Sequence, residues 1–358
     1  MDEKQLIRNF RAIGNGVIDV FLGAGASLNS GIATGNDFVW YFKREIYCTE
    51  NEVNKEKFKD LKSEKNRSTL QKYFDTQTGY HKRGSPDEYS YYFEKCYSTG
   101  DARKGFMEAQ VAQKHPSIGY LCLANLVTNS IVNTIWTTNF DELMEAAIKK
   151  IDEIWPLNVL SSANQNAFGN INEKYSCICK LHGDYRYDKL QNTSAELQSL
   201  EGVIAKRLKE KLHNKGLLVI GYSGSDDSVM KVLEENVSDV DFLSKGLYWT
   251  ILKGSTISNR VKRLIDRLNR EGKPADVIEI DGFDEFFTSI YYSMDNRIEL
   301  IDKLLTLINE NKKLKFSLER KSEFIKLNAF VAKDYPLCNV FATDIKDWKT
   351  LRQYRGDL

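Results

Sequence analysis

Residues 17–31 read Val17-Ile18-Asp19-Val20-Phe21-Leu22-Gly23-Ala24-Gly25-Ala26-Ser27-Leu28-Asn29-Ser30-Gly31. A run of β-branched and apolar residues ends in Gly23-Ala24-Gly25-Ala26-Ser27, the pattern of a buried strand feeding a glycine turn. Glycines at such a turn let the backbone approach a ligand closely, because no Cβ intervenes. Peptide N–H groups there, with a helix start behind them, form an anion site suited to a phosphate or pyrophosphate. The ordinary dinucleotide fingerprint wants a third glycine three places after the second. That place is Leu28, so the ordinary fingerprint is not met. Taken alone, the stretch also fits a plain strand–turn–helix.

Working outward, residues 2–15 read as a short amphipathic helix before this strand. Residues 36–47 carry Phe38, Val39, Tyr41, Phe42 and Ile46 and suit a half-buried helix, with Asn36 or Asp37 as its cap. From about 50 to 115 the chain is charged, rich in Tyr and Lys and without a strand pattern, which predicts a helical insertion with polar loops. A helix is expected over 117–129, and strands over 130–136, 155–160 and 175–181. A charged helix is expected at about 195–214, then strands at 217–220, near 246–252 and at 275–280. Strands alternating with helices imply a Rossmann-like α/β fold, a parallel sheet with helices on both faces. The predicted division is a sheet domain over 1–282 and a helical C-terminal extension over 283–358. In that extension Leu300, Ile301, Leu304, Leu305 and Ile308 fall at helical spacing, the pattern of a core-facing stripe. Residues near Pro336, Trp348 and Tyr354 show no period; they suit an assembly tail or a chain that continues further.

Four apolar strands each end in a polar or glycine-rich cluster: Gly23–Ser27, Thr137–Asp141, His182–Asp184 and Gly221–Asp226. In an open α/β sheet, ligands bind just beyond the carboxyl ends of the strands. The four clusters are therefore expected on one rim.

Composition bounds the rest. The chain has 358 residues, 42% hydrophobic and 11% aromatic, enough for a substantial core and far from a disordered composition. Its 51 basic and 50 acidic residues give a net charge of +1, no footprint for nucleic acid or an acidic membrane. The start, MDEKQLIRNF, is charged and unlike a signal peptide, and no apolar run of about 18 residues suggests a membrane span. Six cysteines contain no C-x-x-C pair, which argues against a zinc ribbon and suits a cytoplasmic protein with reduced thiols.

Taken together, the four clusters resemble the sirtuin superfamily, and more closely the bacterial defence-associated sirtuin-like NAD hydrolases. The resemblance runs over about 15–235 with its motifs in the family's order. Gly23-Ala24-Gly25-Ala26-Ser27 with Gly31-Ile32 matches the glycine motif. Thr138-Asn139-Phe140-Asp141 matches the T-x-N-x-D or Q-N-x-D motif. Leu181-His182-Gly183 matches the catalytic histidine motif, and Gly221-Tyr222-Ser223 the late glycine–serine turn. Two departures stand out. Sirtuin deacylases carry a four-cysteine zinc module after the histidine motif, whereas no cysteine lies here between Cys179 and Cys338. Their G-I-P-D-F-R-type loop is Gly31-Ile32-Ala33-Thr34-Gly35-Asn36-Asp37-Phe38 here, without the arginine. Both losses count against protein deacylation, and without the zinc cysteines no metal is expected.

The resemblance implies NAD as substrate and a cut at the bond between nicotinamide and ribose, through an oxocarbenium-like state of the kind met in glycoside chemistry. Gly23, Ala24, Gly25 and Ser27 would hold the pyrophosphate. Asn139 offers a donor and an acceptor on one amide for a ribose hydroxyl and the attacking water. His182 would act as general base. Asp141 would bind nicotinamide or brace its loop as an early helix residue. Ser223 and Asp226 would bind the adenosine ribose, or Asp226 would cap the following helix. Asp37, Thr138 and Gly221 complete the expected binding set. His81, His115 and His213 suit surface or structural roles.

The implied activity is an NAD hydrolase that depletes NAD during phage infection, gated by oligomerisation, a nucleotide signal or a partner. Partners implied by the resemblance include a second copy of the chain, a HerA-type ATPase, and a fused or separate phage sensor. A protein deacylase, an ADP-ribosyltransferase, and a non-catalytic NAD or ADP-ribose sensor are the alternatives. Asn139 and His182 together favour catalysis.

Overall fold

The computed structural model describes residues 1–12, 14–85, 87–161, 174–182 and 203–319. Gly183, Asp184, the start of the helix expected from 195, and the stretch with Pro336, Trp348 and Tyr354 lie outside the described residues. The chain divides into two units, Met1–Arg297 and Ile298–Leu358.

The first unit is built on seven strands: β1 (Ile18–Leu22), β2 (Thr134–Thr137), β3 (Leu157–Ser161), β4 (Ser176–Lys180), β5 (Gly216–Ile220), β6 (Gly246–Leu252) and β7 (Ala275–Ile280). They form one sheet in the order β3-β4-β2-β1-β5-β6-β7, and every pair is parallel. The central strands β1 and β5 are buried at all five positions, as expected of a parallel sheet covered on both sides. After β1 the chain moves to β2 on one side, and later it returns to β5 on the other. The turns after β1 and β5 therefore flank the point where the winding reverses, the usual place for a ligand.

Strand alternation divides the core in two. On one face Phe21, Trp136, Cys179, Val219 and Trp249 join α8 (Val203–Lys211), α9 (Asp227–Glu235) and α10 (Asn259–Arg270), which contribute Leu208, Met230, Leu233, Leu264 and Leu268. The other face belongs to α6 (Ile118–Thr128), α7 (Leu143–Ile151) and α11 (Phe283–Tyr292). Helix α6 packs against both of its neighbours and is buried at every position from Gly119 to Val127. Its Tyr120 ring meets Phe283 of α11 at 4.9 Å. An N-terminal helix, α1 (Glu3–Ala12), lies against β7.

Between β1 and α6 stand α2 (Gly35–Glu50), α3 (Glu64–Thr76), α4 (Glu88–Cys96) and α5 (Gly100–Val111). The many aromatics here build a second core. Phe42 stacks on Phe93 at 4.9 Å, with Phe38, Phe74, Tyr92 and Phe106 around them. Within it Lys43 is wholly buried, held by Gln71 and Glu88 and lying over the rings of Trp40 and Tyr92.

Two local expectations are corrected. Helix α2 is capped by Thr34, not by Asn36 or Asp37. Thr34 Oγ1 accepts from the Asp37 N–H, and Asp37 Oδ2 accepts from the Thr34 N–H, both at 3.2 Å. That reciprocal box places Asp37 at the third helical position. Strand β2 begins at Thr134 rather than 130. Ser130 has φ +57°, and the Ile131 N–H bonds the Leu126 carbonyl, so residues 130–132 finish α6.

The second unit is described through one helix, α12 (Glu299–Glu319), on which Ile301 and Leu305 are buried. Among the described residues no helix is long and apolar enough to cross a membrane.

Candidate active site

The turn after β1 runs into a 3₁₀ helix, Ala24–Ser30, closed by Gly31 at φ +81°. It lies directly on the turn after β5. The Gly23 N–H bonds the Ile220 carbonyl at 3.0 Å, and the Gly25 N–H bonds the Gly221 carbonyl at 2.8 Å. Gly221 sits at φ +69°, and a Cβ on it would stand 2.4 Å from the Ala26 nitrogen. A Cβ on Gly23 would meet the Gly221 carbonyl at 2.5 Å. The glycines thus let two protein turns touch, and their N–H groups at 23 and 25 are spent inside the protein. The Ala24 N–H takes part in none of these bonds.

Ser27 is the hub of a buried network rather than an exposed hydroxyl. It is 1% exposed. Its Oγ donates to Asp141 Oδ2 at 2.8 Å, lies 2.9 Å from the Tyr120 hydroxyl and accepts from Asn139 Nδ2 at 3.1 Å. Asn139 Nδ2 also donates to the Gly23 carbonyl at 3.1 Å. The loop after β2 is held from below by Thr137, whose Oγ1 donates to the Leu22 carbonyl and accepts from the Asn139 N–H. Thr138 donates its N–H to the same Leu22 carbonyl at 3.3 Å. Asn139 is thereby fixed at both backbone and amide nitrogen, and no donor among the described residues is bonded to its Oδ1.

Asp141 braces this loop. One oxygen takes Ser27 and the other accepts from the Leu143 N–H at 3.1 Å, at the start of α7. Burial raises its carboxyl above the ordinary range, against the Ser27 bond and the Leu143 N–H. Its carbonyl accepts from Lys180 Nζ at 2.8 Å, and Lys180 also pairs with Glu145 at 2.8 Å. Both members of that pair are buried. Lys180 and Glu145 were not singled out by sequence reasoning, and Thr137 only as the first residue of its strand-end cluster. A lysine inside the otherwise apolar β4, two residues before His182, was the available signal for Lys180.

His182 follows β4, and its ring centroid lies 6.4 Å from that of Phe140, the neighbour of Asn139. Phe140 in turn packs against the aromatic core of α2–α5. His182 Nε2 stands 2.5 Å from Asp226 Oδ2, although β2 and β1 separate the strands that carry the two residues. Asp226 Oδ1 caps α9, accepting from the Ser228 N–H at 2.9 Å and the Ser228 hydroxyl at 2.7 Å. Burial alone would raise the Asp226 carboxyl. The imidazole and the two Ser228 donors outweigh it and hold the group well below the usual carboxylate range.

Ser223 is exposed and bonds Ser225 at 2.8 Å, while Tyr222 turns inward onto Phe21 and Trp249. Asp37 bonds Thr34 and lies 3.5 Å from Arg67, away from the network that joins the other site residues. Of the remaining histidines, His213 pairs with Asp239 at 3.1 Å and His81 stacks on Tyr91 at 4.2 Å. The strand ends thus hold two linked sets, Ser27 with Asn139 and Asp141, and His182 with Asp226, with the Phe140 ring 6.4 Å from the imidazole: a fixed amide, an imidazole and carboxylates beside two glycine turns. Such a set can orient a water and a hydroxyl and move a proton between them.

Residues 133–270 match the SIR2-like domain family. The NAD(+) hydrolase ThsA of Enterococcus faecium is 25% identical over 244 residues, covering 66% of this chain and 43% of the relative. The chain therefore spans less than half the length of that curated relative. Among solved structures, a Sir2–p53 peptide–NAD+ complex is 13% identical over 82% of this chain and 98% of its own, with a TM-score of 0.34. A second, described as the structural basis for the mechanism and regulation of Sir2 enzymes, is 12% identical over 85% and 98%, with a TM-score of 0.37. The matched span runs from β2 to α10 and includes Asn139, His182 and Asp226.

Proposed function

We propose that this chain is an NAD+ glycohydrolase that cuts NAD+ into nicotinamide and ADP-ribose, an NAD-depleting effector of anti-phage defence gated by assembly or a partner. The observation that carries the chemistry is the pair Asn139 and His182. They leave different strands, and Phe140 bridges from the asparagine to the imidazole ring. The likeness to an NAD(+) hydrolase supports the substrate.

In this reading water adds to the ribose C1′ as the bond from C1′ to the nicotinamide nitrogen breaks. The electron pair of that bond stays with nicotinamide, and one water proton passes through His182 to solvent. Asn139, held by Gly23 and Ser27, presents its Oδ1 to the water or a ribose hydroxyl. The backbone around Ala24, with Thr138, Gly221 and Ser223, receives the rest of the dinucleotide. Asp37 acts at a distance, by fixing the start of α2.

Nicotinamide release from NAD+ by the purified chain, at several protein concentrations, tests this. The expected result is release that falls by about 10²–10⁴-fold in Asn139→Ala and in His182→Ala, the range of a lost acid–base group. A rate per chain that climbs with concentration marks assembly as the gate. A wild-type chain that neither releases nicotinamide nor binds NAD+ would overturn the proposal.

A further inference from the structure

Asp226 does more than cap a helix needs. An N-cap uses one side-chain oxygen, and Asn or Ser serves there as well as Asp. Here Oδ1 alone carries the cap, through Ser228 and, at 3.5 Å, the Val229 N–H. Oδ2 points the other way, to His182 Nε2 at 2.5 Å. Both of these facing atoms are sealed from solvent, and among the described residues neither has a hydrogen-bond partner, so what joins them is the close ion-pair contact alone. A buried carboxylate oxygen left without a positive or donating neighbour is costly, so the imidazole is its compensation. The contact reaches from the β4 loop to the β5 loop over the two strands between them.

We propose that Asp226 is a positioning residue for His182: its carboxylate holds the proton on Nε2 and leaves Nδ1 as the nitrogen that takes the proton from water or a ribose hydroxyl. The inference rests on reading His182 as the base of NAD+ cleavage. An ionised carboxylate only accepts hydrogen bonds, so the ring nitrogen facing it carries the hydrogen. The other nitrogen is then the sole site on the ring that can accept one. Carboxylates that orient a catalytic imidazole act in this way in hydrolases, where removing the charge while keeping the shape disables the base. Here the carboxylate is itself anchored, because the N-terminus of α9 grips its second oxygen. The imidazole therefore inherits its orientation from a helix end.

Asp226→Asn separates this role from capping, since asparagine caps equally well but brings no charge to His182. The chain has four histidines, so a spectrum of the full protein with ¹⁵N-labelled imidazoles is small, and His182→Gln assigns the signal. In the wild type, His182 is expected to show a protonated Nε2 and, when neutral, a bare Nδ1. In Asp226→Asn that preference is expected to disappear, while the melting temperature stays near wild type. Nicotinamide release should lose kcat by about 100-fold, with KM for NAD+ within about twofold. Asp226→Ser, another good cap, should behave alike and covers the case of a poorly folding asparagine variant. An unchanged His182 tautomer in both variants, a wild-type kcat, or a rise in KM alone would overturn the inference, the last by making Asp226 a ribose contact. If the wild type releases no nicotinamide, the hydrolase reading fails, and the imidazole spectra still decide whether Asp226 sets the tautomer.

Discussion

Two aspartates, one buried and one half-buried, lie at opposite ends of neighbouring strands, and they meet opposite fates. Asp226 stands just past the carboxyl end of β5, with donors on one oxygen and an imidazole on the other, and its carboxyl is held well below the ordinary range. Asp19 lies near the amino end of β1, fully buried. Trp136 Nε1 donates to its Oδ2 at 3.1 Å, but Lys215 Nζ is 3.8 Å from Oδ1, too far for a hydrogen bond. Burial pushes the Asp19 carboxyl up to about 7, against the pull of Lys215 and Trp136. Asp19 is wholly buried and Asp226 keeps 13% of its side chain exposed, and burial opposes the charge at both. A nearby positive charge and hydrogen bonds favour the charged form of a carboxylate, and desolvation opposes it. At the rim the imidazole and the Ser228 donors outweigh burial for Asp226, whereas for Asp141 the Ser27 and Leu143 donors do not; at the amino end Lys215 and Trp136 do not for Asp19.

If that contrast is right, removing a charge should have opposite signs at the two ends. At the carboxyl rim, Lys180→Met leaves Glu145 buried without its cation, and breaking a buried pair from one side costs about 3–5 kcal/mol. Chemical denaturation should show that loss, and a Lys180→Met, Glu145→Gln double variant should recover part of it. A loss below about 1 kcal/mol in the single variant would mean that water or relaxation replaces the lysine, and the contrast would weaken.

At the amino end the expected effect is smaller and depends on pH. The folded chain keeps the Asp19 proton up to about pH 7, whereas the unfolded chain releases it near 3.9. Between those values the folded state binds more protons. This group's contribution to stability is therefore fully present below about pH 4 and is lost as pH rises toward 7, by at most about 1.4 kcal/mol per unit. Asp19→Asn keeps an acceptor for Trp136 and should remove that slope. Measured at pH 5 and pH 7, the variant should gain on the wild type with rising pH. Parallel stability curves for the two proteins would show that Asp19 is ionised throughout, like Asp226.

The residues on each side of this contrast differ in how far the sequence reveals them. Leu217-Leu218-Val219-Ile220 followed by glycine is readable as a central strand, because four apolar residues before a turn signal suit a strand buried on both faces. The alternation of strands and helices is likewise enough to place Asn139 and His182 at strand ends. What those residues touch is a different matter. The contact of His182 with Asp226 and the bond from Ser27 to Asp141 join residues far apart in the chain, across strands whose order no local pattern records. The glycines at 23 and 221 are conspicuous in the sequence, yet their partner is another turn, which only the strand order brings close. Residues 130–132 are apolar and β-branched enough to suggest a strand; the left-handed Ser130 gives them to the end of α6 instead.

The smallest expected effect lies within the rim itself. Ser27→Ala removes a hydroxyl that bonds Asp141 and Asn139 and touches Tyr120. The stability cost should be about 1–2 kcal/mol, that of a buried polar partner lost. Asn139 keeps its bond to the Gly23 carbonyl and the backbone bond to Thr137, so its amide is loosened rather than released. Nicotinamide release should accordingly fall by about fivefold, well short of the Asn139→Ala loss, since one hydrogen bond's worth of positioning is about 1 kcal/mol. A Ser27→Ala rate as low as that of Asn139→Ala, with stability intact, would make the serine a direct substrate contact. The rim would then hold its ligand through the same hydroxyl that ties its loops together. A rate unchanged by the substitution would instead mean that the backbone alone sets the asparagine, and that the partners gathered at this end of the sheet serve the fold before they serve the chemistry.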